Sequence, residues 1–195
     1  MRTTASRNAE RTALAAAVLL ALLLELRAHC AEIEGVIFED RVLAHDVPLV
    51  VAHVGLLRWK VVFRGYVAAL YLAEGSSPDA WSSDVPKRLE LVYFWPIAGK
   101  AFGRTGEEIL ARNVSSQEIA GLRTRLDRIA SLYPDVRAGD RLSLTYVPGV
   151  GSELAWNGNV LGELEGADFA AAYFAIWLGR ELMSAPLRDQ LLGRR

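Results

Sequence analysis

Apolar positions along this chain follow three rhythms, and each predicts a different kind of element. Near the start, Arg2, Arg7 and Arg11 precede an unbroken apolar run over residues 13–24, which Glu25 and Arg27 close. Between residues 34 and 94 the apolar residues come in short groups rich in Val, Leu, Phe and Tyr. These predict strands at 34–38, 49–53, 59–63, 66–72 and 87–94. The spacing then changes to three and four, predicting two consecutive helices at 98–113 and 116–132. Ser115 followed three residues later by Glu118 supplies a capping box for the second.

Strand patterning resumes at 141–146. The groups 152–156 and 160–164 flank Asn157-Gly158, a pair that readily adopts positive φ in a hairpin turn. Residues 168–178 are apolar nearly all round, which predicts a helix lying against a sheet with little of it wet. A last short helix is predicted at 184–192, and the Ser-rich stretch 76–84 reads as a surface connection. Strands first, then a helical pair, a hairpin and more helices predict an α+β domain. Its mostly antiparallel sheet carries helices packed on one face, with room for an apolar pocket between the two layers.

Composition narrows the function classes. With 52% hydrophobic and 23% charged residues over 195 positions, the chain is neither disordered nor collagen-like, and no internal period divides it. Its 22 Lys and Arg nearly balance 23 Asp and Glu, so the electrostatic basis for a nucleic-acid binder is missing. The run at 13–24 has the layout of a secretory signal peptide and falls short of the ~20 residues a spanning helix needs. Residues 1–30 are therefore expected to be a signal peptide cleaved near residue 30, and residues 31–195 a single exported, periplasmic domain without a membrane span. Cys30 is the only cysteine, so disulfides are not expected to hold the domain together. Arg27 and His29 argue against lipidation at Cys30, because that signal prefers small uncharged side chains there.

Few residues form a chemical motif. His29, His45 and His53 lack metal-ligand spacing, so no metal site is expected, and no cofactor is implied. Gly149-Val150-Gly151 leads from strand to strand, unlike a dinucleotide loop. Glu165 and Asp168 read as helix-start dipole partners. The aromatics Phe63, Tyr93, Phe94, Trp95, Phe102, Tyr173, Phe174 and Trp177 read mostly as core, and Lys60 and Arg64 as surface.

Five segments carry a wider likeness: GLLRWKVVFRGYVAALYL at 55–72, PKRLEL at 86–91, YPDVRAGDRLSLTYVPG at 133–149, WNGNVLGEL at 156–164 and IWLG at 176–179. Together they resemble the chalcone isomerase-like family, in its bacterial exported branch, over nearly all of residues 31–195. The resemblance implies an open-faced β-sandwich with a ligand cleft between sheet and helices, and by itself it implies no chemistry. The family includes plant isomerases that close a flavanone ring, plastid proteins that bind fatty acids, and noncatalytic relatives. By this likeness Arg58 stands at the family's arginine. Tyr66 stands where the isomerases have threonine, and a tyrosine there resembles the fatty-acid-binding branch.

The isomerases' helix pattern Tyr-x-x-Lys-x-x-x-Asn is absent, and the corresponding region holds Lys100, Phe102, Thr105 and Ile109. The resemblance thus implies a noncatalytic binder of a small apolar carboxylate such as a fatty acid. Arg58 and Tyr66 would clamp the head, while Phe102, Thr105 and Ile109 would line the cleft. Two other readings stay open: an isomerase, an intramolecular lyase acting on a chalcone-like or other enone, and an envelope structural or partner-binding module whose cleft is filled by its own side chains.

Overall fold

The computed structural model describes residues 31–59, 63–181 and 184–194. The expected signal peptide, its cleavage point and the lipidation question at Cys30 lie outside the described residues. Strands β1 (Ala31–Ile33) and β2 (Val36–Phe38) form a small hairpin of their own. Its turn residues Glu34 and Gly35 both have positive φ, 53° and 78°, as a type I′ turn requires.

Seven further strands make one sheet: β3 (Arg41–Ala44), β4 (Val47–Trp59), β5 (Phe63–Leu72), β6 (Lys87–Tyr93), β7 (Arg141–Val147), β8 (Gly151–Trp156) and β9 (Asn159–Leu164). Their order in the sheet is their order in the chain, and every neighbouring pair is antiparallel. Helices α1 (Gly99–Asn113) and α2 (Ser116–Leu132) enter between β6 and β7, while α3 (Ala167–Leu178) and α4 (Ala185–Leu191) follow β9. This is the expected α+β architecture of an antiparallel sheet with helices on one face.

The side-chain alternation of a strand explains how one sheet closes two cores. On β5, Tyr66, Ala68, Leu70 and Leu72 face the helices and join Leu89, Leu91 and Tyr93 of β6 with Phe169 and Phe174 of α3. The intervening Val67, Ala69 and Tyr71 face the other way, against Phe38, Leu49 and Leu56, beneath the β1–β2 hairpin. Both faces of β5 are therefore covered, which is why the segment reads as a continuous apolar run.

Local signals place most elements. Ser115 and Glu118 form the expected capping box, with Glu118 N–H donating to Ser115 Oγ at 3.2 Å and Ser115 N–H to Glu118 Oε2 at 2.7 Å. Asn157 and Gly158 turn the β8–β9 hairpin with φ of 49° and 81°. Arg125 meets Asp168 through two hydrogen bonds of 2.7 and 2.6 Å, tying α2 to the first turn of α3. That pairing holds the Asp168 carboxyl below its ordinary value.

The structure differs from expectation in the first half. The separate strands expected at 49–53 and 59–63 belong in part to the single strand β4, which a register shift between Val51 and His53 interrupts. Such an irregularity breaks the apolar alternation without ending the strand, and residues 60–62 lie outside the described set. Of the strand expected at 34–38, residues 34 and 35 form a turn and only Val36–Phe38 is strand; β1 and β3 are additional, and the 76–84 connection contains a short 3-10 turn at Pro78–Ser82.

Candidate functional site

At the Arg58–Arg64 end of β4 and β5 the helix-side core does not close. It leaves a cleft of about 640 Å³ bounded by β4, β5, α1 and α3. Sequence makes the room at Gly106, on the cleft side of α1, where a methyl group would stand 3.5 Å from Ile176 Cδ1 and 3.8 Å from the Tyr173 hydroxyl. Gly103, on the same helix, lets α1 approach α2 closely, since a methyl there would come within 2.7 Å of Ala130 Cβ.

The wall is a run of touching aromatic rings. Tyr66 and Tyr93 lie 5.4 Å apart between centroids, Tyr93 meets the edge of Phe102 at 5.6 Å, and Phe102 stacks on Tyr133 at 4.7 Å. The Tyr133 and Tyr173 hydroxyls share a hydrogen bond of 3.0 Å, and Tyr173 in turn meets Trp177 at 6.0 Å. Burial raises the pKa of Tyr66, Tyr93 and Tyr173, and pushes Tyr133 up to about 12 despite its bond to Tyr173. The phenols therefore stay protonated at physiological pH. In that state they can donate hydrogen bonds to a ligand.

Charge appears at the mouth. Arg58 on β4 and Arg64 on β5 line the cleft and face each other directly across the antiparallel ladder. Like charges in that register repel, and Glu34 from the β1–β2 turn lies between them. Arg58 Nη2 donates to Glu34 Oε1 and Arg64 Nη1 to Glu34 Oε2, each at 3.1 Å. Arg64 also rests over the Phe94 ring at 4.9 Å, and its carbonyl accepts from Trp95 Nε1 at 2.7 Å. Both guanidinium side chains are about half exposed, 50% and 51%.

Of the residues singled out in the sequence, Arg58, Tyr66, Phe102 and Thr105 line this cleft. Ile109, one turn further along α1, is 4% exposed in the main core and is not among the lining residues. Six of the eight aromatics read mostly as core line the cleft, Phe94 and Phe174 being the exceptions. Arg64, read as surface, is at the mouth. Tyr133 carried no local signal, since packing alone brings it to the site, and Glu34 pairs with the two arginines without lining the cleft.

Two other polar groupings lie elsewhere. A cavity of about 490 Å³ on the sheet's far face is lined by Arg88, Glu90, Arg141 and Ser143. There Glu90 accepts from Arg88 at 2.8 Å and from Arg141 at 2.6 Å. His45, Glu153 and Glu163 bring donor atoms within 4.8 Å of one another, which their spacing in the chain does not reveal. Two of these three residues are exposed, and no hydrogen bond among the described residues orients any of them, as the outer shell of a metal centre would.

Comparison with known proteins bears on the family and the fold. The profile of a family described as chalcone isomerase-like matches residues 30–193. Among solved structures, the crystal structure of an Arabidopsis thaliana fatty-acid binding protein is similar with a TM-score of 0.61. It is 15% identical, and the match covers 81% of this chain and 92% of that one. At that identity the likeness is one of fold. Among curated proteins no match is found.

Proposed function

Since the chain belongs to the chalcone isomerase-like family, we propose that its cleft holds one small apolar carboxylate, of the fatty-acid type, and carries out no reaction on it. The observation that carries this reading is the pairing of an aromatic-walled cleft of about 640 Å³ with two arginines at its mouth. That volume lies inside the ~300–1,000 Å³ range of small-molecule sites. The fatty-acid binding protein of like fold supports the same ligand class.

The energetics divide between tail and head. Each buried methylene contributes about 0.8 kcal/mol, whereas a half-exposed guanidinium contact is worth about 0–1 kcal/mol. The tail then supplies most of the affinity and the arginines orient the molecule. The signal-peptide pattern of residues 1–30 supports placing this binding in the periplasm. No described helix is long and apolar enough to cross a membrane.

Titration of the purified protein with a fluorescent long-chain carboxylate tests the reading, using Gly106→Leu as the blocked form. Leucine favours the helix and projects into the cleft, so the variant is expected to fold and to lose at least tenfold in affinity. A wild type that binds no such probe, or a Gly106→Leu variant that binds it equally well, would sink the proposal.

A further inference from the structure

Two of the tyrosines that line the cleft meet at their polar ends. Tyr133 caps the C-terminus of α2 and Tyr173 lies within α3, and their hydroxyls stand 3.0 Å apart. Both rings are held from the side, Tyr133 stacked on Phe102 at 4.7 Å and Tyr173 on Phe169 at 5.2 Å. A phenol has one proton to donate and an oxygen that accepts, so the bond between the two hydroxyls uses one proton and leaves the other unmet. Among the described residues neither hydroxyl makes a second hydrogen bond. Both phenols stay protonated, and burial makes an unmet donor costly. Gly106 puts open space beside the pair. It lines the cleft, and the methyl group it lacks would stand 3.8 Å from the Tyr173 hydroxyl, so a ligand atom lodged there comes within reach of the pair.

We infer that the Tyr133–Tyr173 pair is a specificity subsite for a second oxygen on the ligand, a hydroxyl or oxo group carried on the chain of the bound carboxylate. This deepens the proposed function and rests on the same cleft, though not on where the carboxylate itself sits. A plain alkyl chain against the pair leaves the second phenolic proton unpaired, whereas a hydroxyl or ketone oxygen accepts it. Sites built to hydrogen-bond a ligand oxygen discriminate against the analogue that lacks it, because the buried donor is then left without a partner. The stacked rings fix the donor before binding, so little ordering is lost in making the bond. For the same reason only an oxygen at one depth along the chain meets the pair.

The test titrates the wild type calorimetrically with dodecanoate and with the positional isomers of hydroxydodecanoate, which share its length and charge. One isomer, or two adjacent ones, should bind about fivefold more tightly than dodecanoate, the scale of one net hydrogen bond. The double variant Tyr133→Phe/Tyr173→Phe keeps both rings and loses both hydroxyls. It should hold dodecanoate at least as tightly as the wild type does and lose the preference for the isomer. The preference is a ratio measured within one protein, so a general effect on the cleft or on folding cancels. Should the double variant not fold, Tyr173→Phe, which removes the hydroxyl beside Gly106, stands in for it with the same two outcomes. No isomer preferred over dodecanoate, or a preference that survives the loss of the hydroxyls, would overturn the subsite and leave the carrier reading intact. A wild type that binds an isomer but not dodecanoate would support the subsite, and one that binds none of these acids would overturn both readings.

Discussion

Lys87 lies on β6 with 1% of its surface exposed. Its ammonium donates to the Ser83 carbonyl at 2.7 Å and sits 5.0 Å from the Tyr146 ring and 5.5 Å from the Phe174 ring. Burial lowers its pKa to about 8, with the charge of Asp84 acting in the opposite direction. In the unfolded chain a lysine titrates near 10.4. Between about pH 8 and pH 10 the unfolded chain therefore binds more protons than the folded one, and stability rises with pH. Below pH 8 both states are protonated and the handicap is complete, on the order of 3 kcal/mol at 1.36 kcal/mol per pKa unit. Buried tyrosines act the other way above pH 10. Tyr66, Tyr71, Tyr93 and Tyr173 all have raised pKa values, chiefly through burial, so the unfolded chain loses its phenolic protons first and stability falls. Denaturant midpoints should climb from pH 8 to about pH 10 and then drop. Lys87→Met should remove the climb and keep the drop, and a wild-type curve that is flat or falling between pH 8 and 10 would refute the assignment.

Two glycines show how differently elements tolerate one methyl group. Gly99 opens α1 with its N–H donating to Asp135 Oδ1 at 2.7 Å, and a Cβ there would fall 2.3 Å from the Tyr133 carbonyl oxygen, which is backbone and cannot swing away. Gly121 sits inside α2 with nothing within 4 Å of the same position. Gly99→Ala should destabilise by about 1–3 kcal/mol through overpacking, and Gly121→Ala should stabilise by about 0.5–1 kcal/mol through helix propensity. Chemical unfolding of the two variants checks both signs, and equal effects would contradict the packing described. The same contrast explains what could be read from the sequence. The helices and the β8–β9 hairpin announce themselves because spacing, the Ser115–Glu118 box and Asn157-Gly158 act within a few residues. The irregularity near Val51 hides the length of β4, and a four-residue strand such as β3 is too short to show a period. At the site, the family likeness points to Arg58 and Tyr66, and Phe102 and Thr105 fall on the cleft side of α1. Glu34 and Arg64 stay hidden because their ion pair depends on where one hairpin lands upon another, 30 residues away.

Across the whole molecule, one sheet separates two cores, and the helix-side core is left open toward the Arg58–Arg64 end. Under the proposed function, a ligand tail entering there would extend an apolar core already built from Tyr93, Phe102, Tyr173 and Ile176. Affinity should therefore scale with tail length. At about 0.8 kcal/mol per methylene the gain is roughly fourfold for each carbon added, until the cleft is full and further carbons reach water. The half-exposed arginines respond to salt, but since each contact is worth about 0–1 kcal/mol, the tail should still dominate at high ionic strength. Binding to the folded form alone also raises thermal stability, by about 2.7 kcal/mol at a ligand concentration one hundred times Kd. A series of straight-chain carboxylates from eight to eighteen carbons, kept below their micelle concentrations and followed by thermal unfolding, measures both effects together. The expected result is a rising shift in Tm that levels off at one chain length, with the plateau arriving earlier in Gly106→Leu because its added side chain occupies part of the cleft. A shift independent of chain length would mean that the tail stays outside, with binding confined to the charged mouth.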